Sequence, residues 1–304
     1  MPKWAEIRQD WQRFTDAAQP FKRYTRFTHD LTDFPRPERR KLPDPLPEVA
    51  ILTPCKNAAG DLDLYFDLID ALDYPKDRLH LFMLEGDSTD DTFQAAKRGL
   101  AGRRGAYAGA ELIKHDLGFE QGEGRRNRPG IQHDRRAAIA RCRNRLMRAA
   151  LATGATHFLF IDVDMVAIPP ATLRDLLEFD APILAANCLL QDTDRVFDLN
   201  TFRYERPVSD RMARRFVVGG LYQPPRGYFR RYPDFRQGNA IEQVHSVGGT
   251  CLLIRRDVPE AGVDFPQAPY QLHIETEALA LKAADMGFGS FVVPQVIVYH
   301  GWET

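Results

Sequence analysis

Apolar residues recur along the chain with the spacings of alternating strands and helices. VAILTP, from residue 49, is a continuous apolar run typical of a buried strand, and residues 61–72 carry apolar side chains at helical spacing. RLHLFMLE and THFLFI repeat the strand pattern, whereas residues 134–153 and ETEALALKAADMG repeat the helical one. This alternation predicts an α/β fold with a mainly parallel sheet flanked by helices.

The first 48 residues differ from this pattern. Four apolar residues at a 3–4–3 spacing predict an amphipathic helix within residues 1–34. They are Trp4, Ile7, Trp11 and Phe14. Packing on the main domain and docking on a membrane surface or partner both agree with this pattern. Residues 35–48 contain five prolines and predict a linker, which leaves residues 49–304 as one domain.

Charge and cysteine content narrow the functional classes. Lys and Arg total 41 against 42 for Asp and Glu, so no global charge favours nucleic acid, and no nucleic-acid partner is expected. The four cysteines show no zinc or disulfide spacing, which favours a reducing compartment. The first residues lack the apolar core of a signal peptide. The expected location is the cytoplasm, with peripheral membrane contact through residues 1–34 left open.

Two aspartates at the end of a predicted strand carry the clearest chemical signal. Asp162 and Asp164 follow the apolar run FLFI, and side chains two residues apart in an extended chain point the same way. Their charges repel unless a cation lies between them, and Mn²⁺ or Mg²⁺ prefers such oxygen ligands together with substrate phosphates. A pair of turn or capping aspartates before Pro169 is the structural alternative.

The order of motifs around this pair resembles glycosyltransferase family 62, the fungal mannan-polymerase type of α-mannosyltransferases. The matching segments begin with ILTPCKNAAGDLDLYFDLIDALDYP and LEGDSTDDT and continue through RCRNRLMRAALATGATHFLFIDVDM. They end with VGGTCLLIRRDV and HIETEALALKAADMGFGSFVVPQVIVYH. The chain departs from the family at its N-terminus, where the usual membrane anchor is missing, and at residues 85–87, where Glu-Gly-Asp replaces a serine-containing version.

This resemblance implies a GT-A fold, Rossmann-like with an antiparallel acceptor-side portion. It implies retaining, metal-dependent transfer of mannose from GDP-mannose to a glycan or glycolipid acceptor, although UDP-sugars stay open. The residues implied in nucleotide-sugar binding are Thr53, Pro54, Lys56, Asp87, Arg141, Asn144, Asp162, Gly248 and Gly249. For Lys56 a solvated loop position is the alternative, and for Asp87 a helix cap. The remaining arginines of the helix before Asp162, Arg143 among them, are expected to be solvated or paired with acids.

Three later residues complete the expected site. Glu275 and Glu277 begin a predicted helix, where the helix dipole alone would favour acidic residues. In the resembled family they lie at the active site, so they are the candidate catalytic carboxylates. His300 follows the strand VIVY and is implied as the third metal ligand after Asp162 and Asp164.

Two other functions stay open. A sugar-phosphate nucleotidylyltransferase would need a glycine- and arginine-rich loop after the first strand, where this chain has TPCKNAAGD. A catalytically silent glycosyltransferase-like subunit would bind a partner through residues 1–34 and would be expected to lack Asp162 and Asp164, which are present.

Overall fold

A nine-stranded sheet forms the centre of the protein. The computed structural model describes residues 33–118 and 129–302. The strands of this sheet are β1 (Val49–Cys55), β2 (Leu79–Glu85), β3 (Gly109–Lys114), β4 (His157–Ile161), β5 (Met165–Ala167), β6 (Ile183–Leu190), β11 (Glu242–Val244), β12 (Cys251–Arg255) and β13 (Ser290–His300). Two short hairpins lie outside it and pair β7 (Arg203–Tyr204) with β10 (Arg230–Arg231) and β8 (Val217–Val218) with β9 (Leu221–Tyr222).

Helices cover both faces of the sheet. They are α1 (Leu62–Asp70), α2 (Thr92–Ala101), α3 (Pro129–Leu151), α4 (Thr172–Leu177), α5 (Asp210–Ala213), α6 (Asp257–Glu260) and α7 (Thr276–Asp285). Helix α3 begins five residues before the predicted start at residue 134. Among the described residues, no helix has the combination of length and apolar composition needed to cross a membrane.

The sheet is mainly parallel, as the alternation of strands and helices predicts. Its strand order is β11-β13-β6-β12-β4-β1-β2-β3, with β5 paired to β13. The pairs β1–β2, β1–β4, β2–β3 and β6–β13 are parallel. Strand β12 runs antiparallel between β4 and β6, and β11 and β5 run antiparallel to β13. The expected antiparallel portion therefore lies in the second half of the chain.

Strand β1 shows how the sheet separates two cores. Val49 and Ile51 face one cluster, which includes the buried side chains of α1, α2 and α4. Ala50 and Leu52 face the other, which includes those of α3 and α7. Because successive side chains in a strand alternate between faces, a continuous apolar run is what a strand covered on both sides requires. Burial of each large side chain contributes roughly 1.5–3 kcal/mol.

The segment predicted as a linker packs on this domain. The Arg40 amide donates to the Glu178 carbonyl at 2.7 Å, and Leu42 and Leu46 pack against the first cluster. Proline prevents regular pairing there but not burial of the leucines between the prolines. Residues 1–32, which include the predicted amphipathic helix, lie outside the described residues, so the role of that helix stays a prediction.

Because most strands run parallel, the chain segments that follow them lie together at one edge of the sheet. Strands β1, β2, β4 and β13 all end there, and β12, which runs the other way, begins there. Open α/β sheets bind ligands outside the carboxyl ends of their strands. The residues just after β4, just before β12 and at the end of β13 therefore decide what this edge can bind.

Candidate functional site

A carboxylate and an imidazole meet at the carboxyl edge. Asp164 follows β4, His300 ends β13, and the Asp164 Oδ2 atom lies 3.1 Å from the His300 Nε2 atom. The Phe197 ring stacks on the imidazole, with ring centroids 3.7 Å apart. The two side chains come from positions 136 residues apart, and the sheet brings them together.

The hydrogen bonds of His300 show what the pair can hold. Its Nδ1 atom lies 2.8 Å from the Gly301 carbonyl oxygen, which can only accept, so Nδ1 carries a proton. In a neutral imidazole the Nε2 lone pair would then face the carboxylate of Asp164, which is repulsive unless a cation lies between them. Although burial lowers the pKa of His300, its bonds to Asp164 and Gly301 raise it above its usual value overall. A divalent metal ion can take the place of that proton.

Asp162, the third expected metal ligand, has a different partner in this structure. Its Oδ1 atom accepts instead from the Arg143 Nη2 atom at 3.1 Å. Within the described part of the chain, no three His, Cys, Asp or Glu side chains form a ready metal-binding group. The metal set of Asp162, Asp164 and His300 therefore stays a prediction, and Asp162 pairs with a buried arginine in this structure.

Arg143 joins three elements of the site. Its Nη1 atom donates to the Glu275 carboxylate, and its guanidinium lies 6.0 Å and 5.7 Å from the centroids of the Phe160 and Phe265 rings. Arg143 is 4 % exposed, so it belongs to the arginines paired with acids and not to the solvated ones. A Cβ atom on Gly249 would overlap this guanidinium, which explains why residue 249 has no side chain.

Buried charges perturb Asp162. Burial raises its pKa to about 7, Arg143 opposes this rise, and the neighbouring carboxylates Asp164, Asp198 and Glu275 add to it. The site therefore holds more negative charge than Arg143 alone balances. Such an excess favours a bound cation.

The buried residues Thr250 and Asp198 form a hydrogen bond that leaves no space for a side chain at Gly248. The Thr250 hydroxyl donates to the Asp198 Oδ2 atom at 3.0 Å, and the Asp162 amide donates to the Thr250 carbonyl at 3.1 Å. A Cβ atom on Gly248 would overlap the Asp198 carboxylate. Asp198 thus positions the segment before β12 against the end of β4, a role the sequence analysis did not assign.

Two of the residues expected to bind the nucleotide sugar make internal hydrogen bonds, and a third is exposed. The Thr53 hydroxyl is fully buried and hydrogen-bonded to the Tyr65 hydroxyl at 2.6 Å. Both side-chain amide atoms of Asn144 bond the Phe265 backbone at 2.8 Å, and Arg141 of α3 is exposed. Thr53 and Asn144 are therefore occupied by internal hydrogen bonds.

The remaining two polar candidates lie in loops at the edge. Lys56 follows β1, next to the half-buried Pro54. The carboxylate of Asp87 accepts from the amides of Leu117 and Gly118, at 3.0–3.1 Å, and does not cap a helix. Asp87 thus fastens the chain after β3 to the end of β2.

The two glutamates of the predicted catalytic pair have different surroundings. Glu275 precedes α7 with φ of +65°, an unfavourable backbone conformation for a residue with a side chain, and its carboxylate pairs with Arg143. Glu277 faces the other way, toward a cavity of about 250 Å³ in which its Oε1 atom lies 3.5 Å from the Arg230 Nη1 atom. Of the two glutamates, Glu277 lines this cavity, and Glu275 is not among its described lining residues.

Comparison with known proteins adds to this geometry. The sequence profile of the Anp1 family matches residues 38–269. A mannan polymerase complex subunit, mnn9 of Schizosaccharomyces pombe, is 27% identical over 83% of this chain and 80% of its own length. The mannan polymerase II complex ANP1 subunit of Saccharomyces cerevisiae is 24% identical over 84% of this chain and 55% of its own length.

A solved structure shares the fold. It is a mannosyltransferase from Pyrobaculum calidifontis in complex with GDP-Man and Mn²⁺, with a TM-score of 0.53 and 15% sequence identity. The match covers 97% of this chain and 65% of the archaeal chain. At this identity the likeness shows the fold alone, a mostly parallel sheet flanked by helices. The chain belongs to the Anp1 family, and its fold is the GT-A fold of glycosyltransferases.

Proposed function

We propose that this protein is a metal-dependent glycosyltransferase that moves mannose from GDP-mannose to a hydroxyl group of a glycan or glycolipid. The contact between Asp164 and His300 carries the proposal, since its hydrogen bonds call for a cation at the edge where GT-A proteins bind donors. Membership of the Anp1 family and the archaeal mannosyltransferase with its GDP-Man and Mn²⁺ support the choice of sugar, nucleotide and metal. The nucleotidylyltransferase alternative has no supporting observation.

Asp164 and His300 would hold Mn²⁺ or Mg²⁺ together with the donor diphosphate, and Asp162 would hold it through water or after moving away from Arg143. Such an ion, when bound, neutralises the charge that develops on the departing nucleoside diphosphate. Pro54 and Lys56 border the donor, and Lys56 adds positive charge for its phosphates. In this arrangement Glu275 is a positioning residue for Arg143.

Glu277 is the carboxylate that we assign to the acceptor. It lies two residues from Glu275 in the first turn of α7 and borders the cavity, so it can accept a hydrogen bond from an acceptor hydroxyl. With the acceptor on the side from which the diphosphate leaves, the configuration at the anomeric carbon would be retained. The transition state has the oxocarbenium character of glycosyl transfer in general.

A second candidate is a catalytically silent subunit that binds the nucleotide sugar or a partner without transfer. Two observations favour it. The yeast relatives are named as subunits of complexes, and Asp162 is paired with Arg143 instead of joining a complete metal-binding group among the described residues. Nucleotide binding and turnover must therefore be measured separately.

The test is thermal unfolding of the protein with GDP, UDP, ADP or CDP, each with Mn²⁺ or with EDTA. A ligand at 100 times its Kd stabilises the folded state by about 2.7 kcal/mol, which is easily measured. Asp164→Asn should abolish the effect. Asp77→Asn is the matched control, because Asp77 is exposed two residues before β2, at the opposite edge of the sheet.

Release of GDP from GDP-mannose, to water or to added mannosides, then separates the candidates. Stabilisation by GDP that needs Mn²⁺ and Asp164, together with release of GDP, supports the transferase. The same stabilisation without release supports the silent subunit. If no nucleotide stabilises the unmodified protein, the transferase is refuted, and of the second candidate only a subunit that binds a partner remains.

A further inference from the structure

A cavity beside Glu277 has a positively charged lining. Its volume is about 250 Å³, and it lies between α3, α7 and the short hairpins formed by residues 203–231. Its charged and aromatic lining residues include Arg136, Arg226, Arg230, Tyr222, Tyr232 and Glu277. Among the described lining residues Glu277 is the one acidic side chain, against three arginines.

The histidine in this lining adds no charge. The His273 Nδ1 atom donates to the Gln271 carbonyl at 2.7 Å, so Nε2 accepts from the Tyr204 hydroxyl at 2.9 Å. Burial lowers the pKa of His273 to about 4, mainly because the ring is enclosed, and the ring is therefore neutral near pH 7. The described lining thus carries a net charge of about +2, from three arginines and one glutamate.

Arg230 has hydrogen-bonding capacity that the residues in the described part of the chain do not use. Its side chain is 9 % exposed, and its guanidinium lies 4.0 Å from the centroid of the Phe202 ring. Its Nη1 and Nη2 atoms make only long contacts, 3.5 Å to Glu277 and 3.4 Å to the Tyr204 hydroxyl. Its buried Nε atom has no hydrogen-bond partner among the described residues. A guanidinium has five N–H donors, so leaving them unsatisfied in a buried position is costly.

We propose that this cavity is an oxyanion site that binds a phosphate group carried by the acceptor. The idea rests on the proposed function, because it assigns the cavity to the acceptor. Arginine forks form paired, charge-assisted bonds with phosphate oxygens, and the aromatic rings around Arg230 shield those bonds from water. A phosphate held by the arginines would leave a neighbouring sugar hydroxyl within reach of Glu277. The acceptor is therefore an anionic, phosphate-bearing glycan or glycolipid and not a neutral one.

The test compares methyl α-mannoside with mannose 6-phosphate by calorimetry, in the presence of GDP and Mn²⁺ so that the donor site is filled. The phosphate ester should bind at least about tenfold more tightly, the usual size of a charge-assisted hydrogen bond. Arg230→Gln should lower the affinity of the protein for the phosphate ester about 10- to 100-fold. Arg226→Gln, at an exposed position where folding is safe, should lower it about two- to fivefold. Arg211→Gln, also exposed but outside the lining, should leave it unchanged.

Vesicles distinguish the two sources of the phosphate. A lipid-borne phosphate is indicated if the protein sediments with phosphatidylinositol vesicles but not with phosphatidylcholine vesicles. In that case Arg226→Gln should weaken the sedimentation, and Arg211→Gln should not. Binding of the soluble ester without sedimentation indicates a free phosphorylated glycan, and either result supports the oxyanion site. The proposal is overturned if the phosphate ester binds no better than the mannoside, or if Arg226→Gln and Arg211→Gln have equal effects.

The same experiments separate this proposal from the proposed function. Stabilisation by GDP with Mn²⁺ but no preference for the phosphate ester refutes the oxyanion site alone. Absence of GDP binding refutes the transferase, and with it the assignment of the cavity to an acceptor. The calorimetry is then repeated without nucleotide. If the protein still binds the phosphate ester more tightly than the mannoside, and Arg230→Gln removes this difference, the cavity is an oxyanion site without an assigned acceptor.

Discussion

The metal-free protein should become more stable at neutral pH when Asp162 is replaced by asparagine. Surrounding carboxylates and burial raise the pKa of Asp162 to about 7, against an ordinary value of 3.8. A carboxyl group that is harder to ionise in the folded state than in the unfolded one lowers stability once it must ionise. The penalty is absent below about pH 4, grows as the pH rises toward 7, and is complete above it.

The magnitude follows from the size of the shift. About three pKa units at 1.36 kcal/mol each give an upper bound of about 4 kcal/mol. The Asp162 side chain is 29 % exposed, so some solvent reaches it and reduces the penalty. We expect Asp162→Asn to raise the free energy of unfolding by about 2–4 kcal/mol at pH 8 in EDTA. At pH 4 the difference in free energy of unfolding between the variant and the unmodified protein should almost vanish. In the folded state at that pH, Asp162 is as neutral as the asparagine that replaces it.

Urea unfolding at pH 4, 6 and 8 in EDTA measures this difference, with the exposed Asp77→Asn as control. A difference between Asp162→Asn and the unmodified protein that does not change with pH would refute the reasoning. So would a variant that is less stable at pH 8, because the bond from Arg143 would then outweigh the repulsion. Added Mn²⁺ should reverse the order at pH 8, since a cation stabilises the carboxylate and not the amide.

Three further substitutions test the site. Gly249→Ala should lower the free energy of unfolding by about 1–3 kcal/mol in urea titrations, because its Cβ overlaps Arg143, while Gly60→Ala, with open space around it, should not. Thr53→Val should lower the free energy of unfolding by about 1 kcal/mol through loss of the Tyr65 bond and leave GDP affinity unchanged in calorimetry; a large loss of affinity would place Thr53 at the nucleotide. Arg143→Met should cost about 3–5 kcal/mol, and adding Glu275→Gln should recover part of it; strictly additive effects in this double-mutant cycle would contradict the ion pair.

The sequence predicts which residues lie at the carboxyl edge of the sheet, because the burial of a strand and its direction can be inferred from nearby residues. The apolar runs at β1 and β4 mark strands covered on both sides, and the helices between them require parallel pairing. Placement of Asp164 next to His300 also follows, because residues after parallel strands meet at one edge. The inserted strand β12 has no such signal, since an antiparallel strand inside a parallel sheet is set by contacts distant in sequence.

The helical spacing around Arg143 indicates the direction of its side chain. It lies three residues after Ala140 and four before Met147, both buried, so helical spacing alone places it on the inner face of α3. Arg141, at a neighbouring position, faces solvent. Thr53 is similar, because strand alternation puts it on the same face as Ile51, toward α1 and Tyr65. In both cases the period of the element decides the direction of the side chain.

Asp198 and Arg230 could not be found in this way. Each lies in the region of short strands between β6 and β11, where no segment is long enough to show a period. Their importance comes from burial and from partners far along the chain, Thr250 for Asp198 and Glu277 for Arg230. Only the folded structure brings these pairs together.

The path from Asp162 to Glu277 connects the proposed donor and acceptor sites. Arg143 bonds Asp162 on one side and Glu275 on the other, and Glu275 keeps its unfavourable backbone conformation while that bond holds it. If a bound cation drew Asp162 toward Asp164, Arg143 would lose one acceptor and its charge would be left to Glu275 alone. That change would strengthen the bond between Arg143 and Glu275 at the start of α7, where Glu277 borders the cavity. Metal binding should therefore order the acceptor carboxylate as well as the donor phosphates, and Arg143→Met should break this dependence.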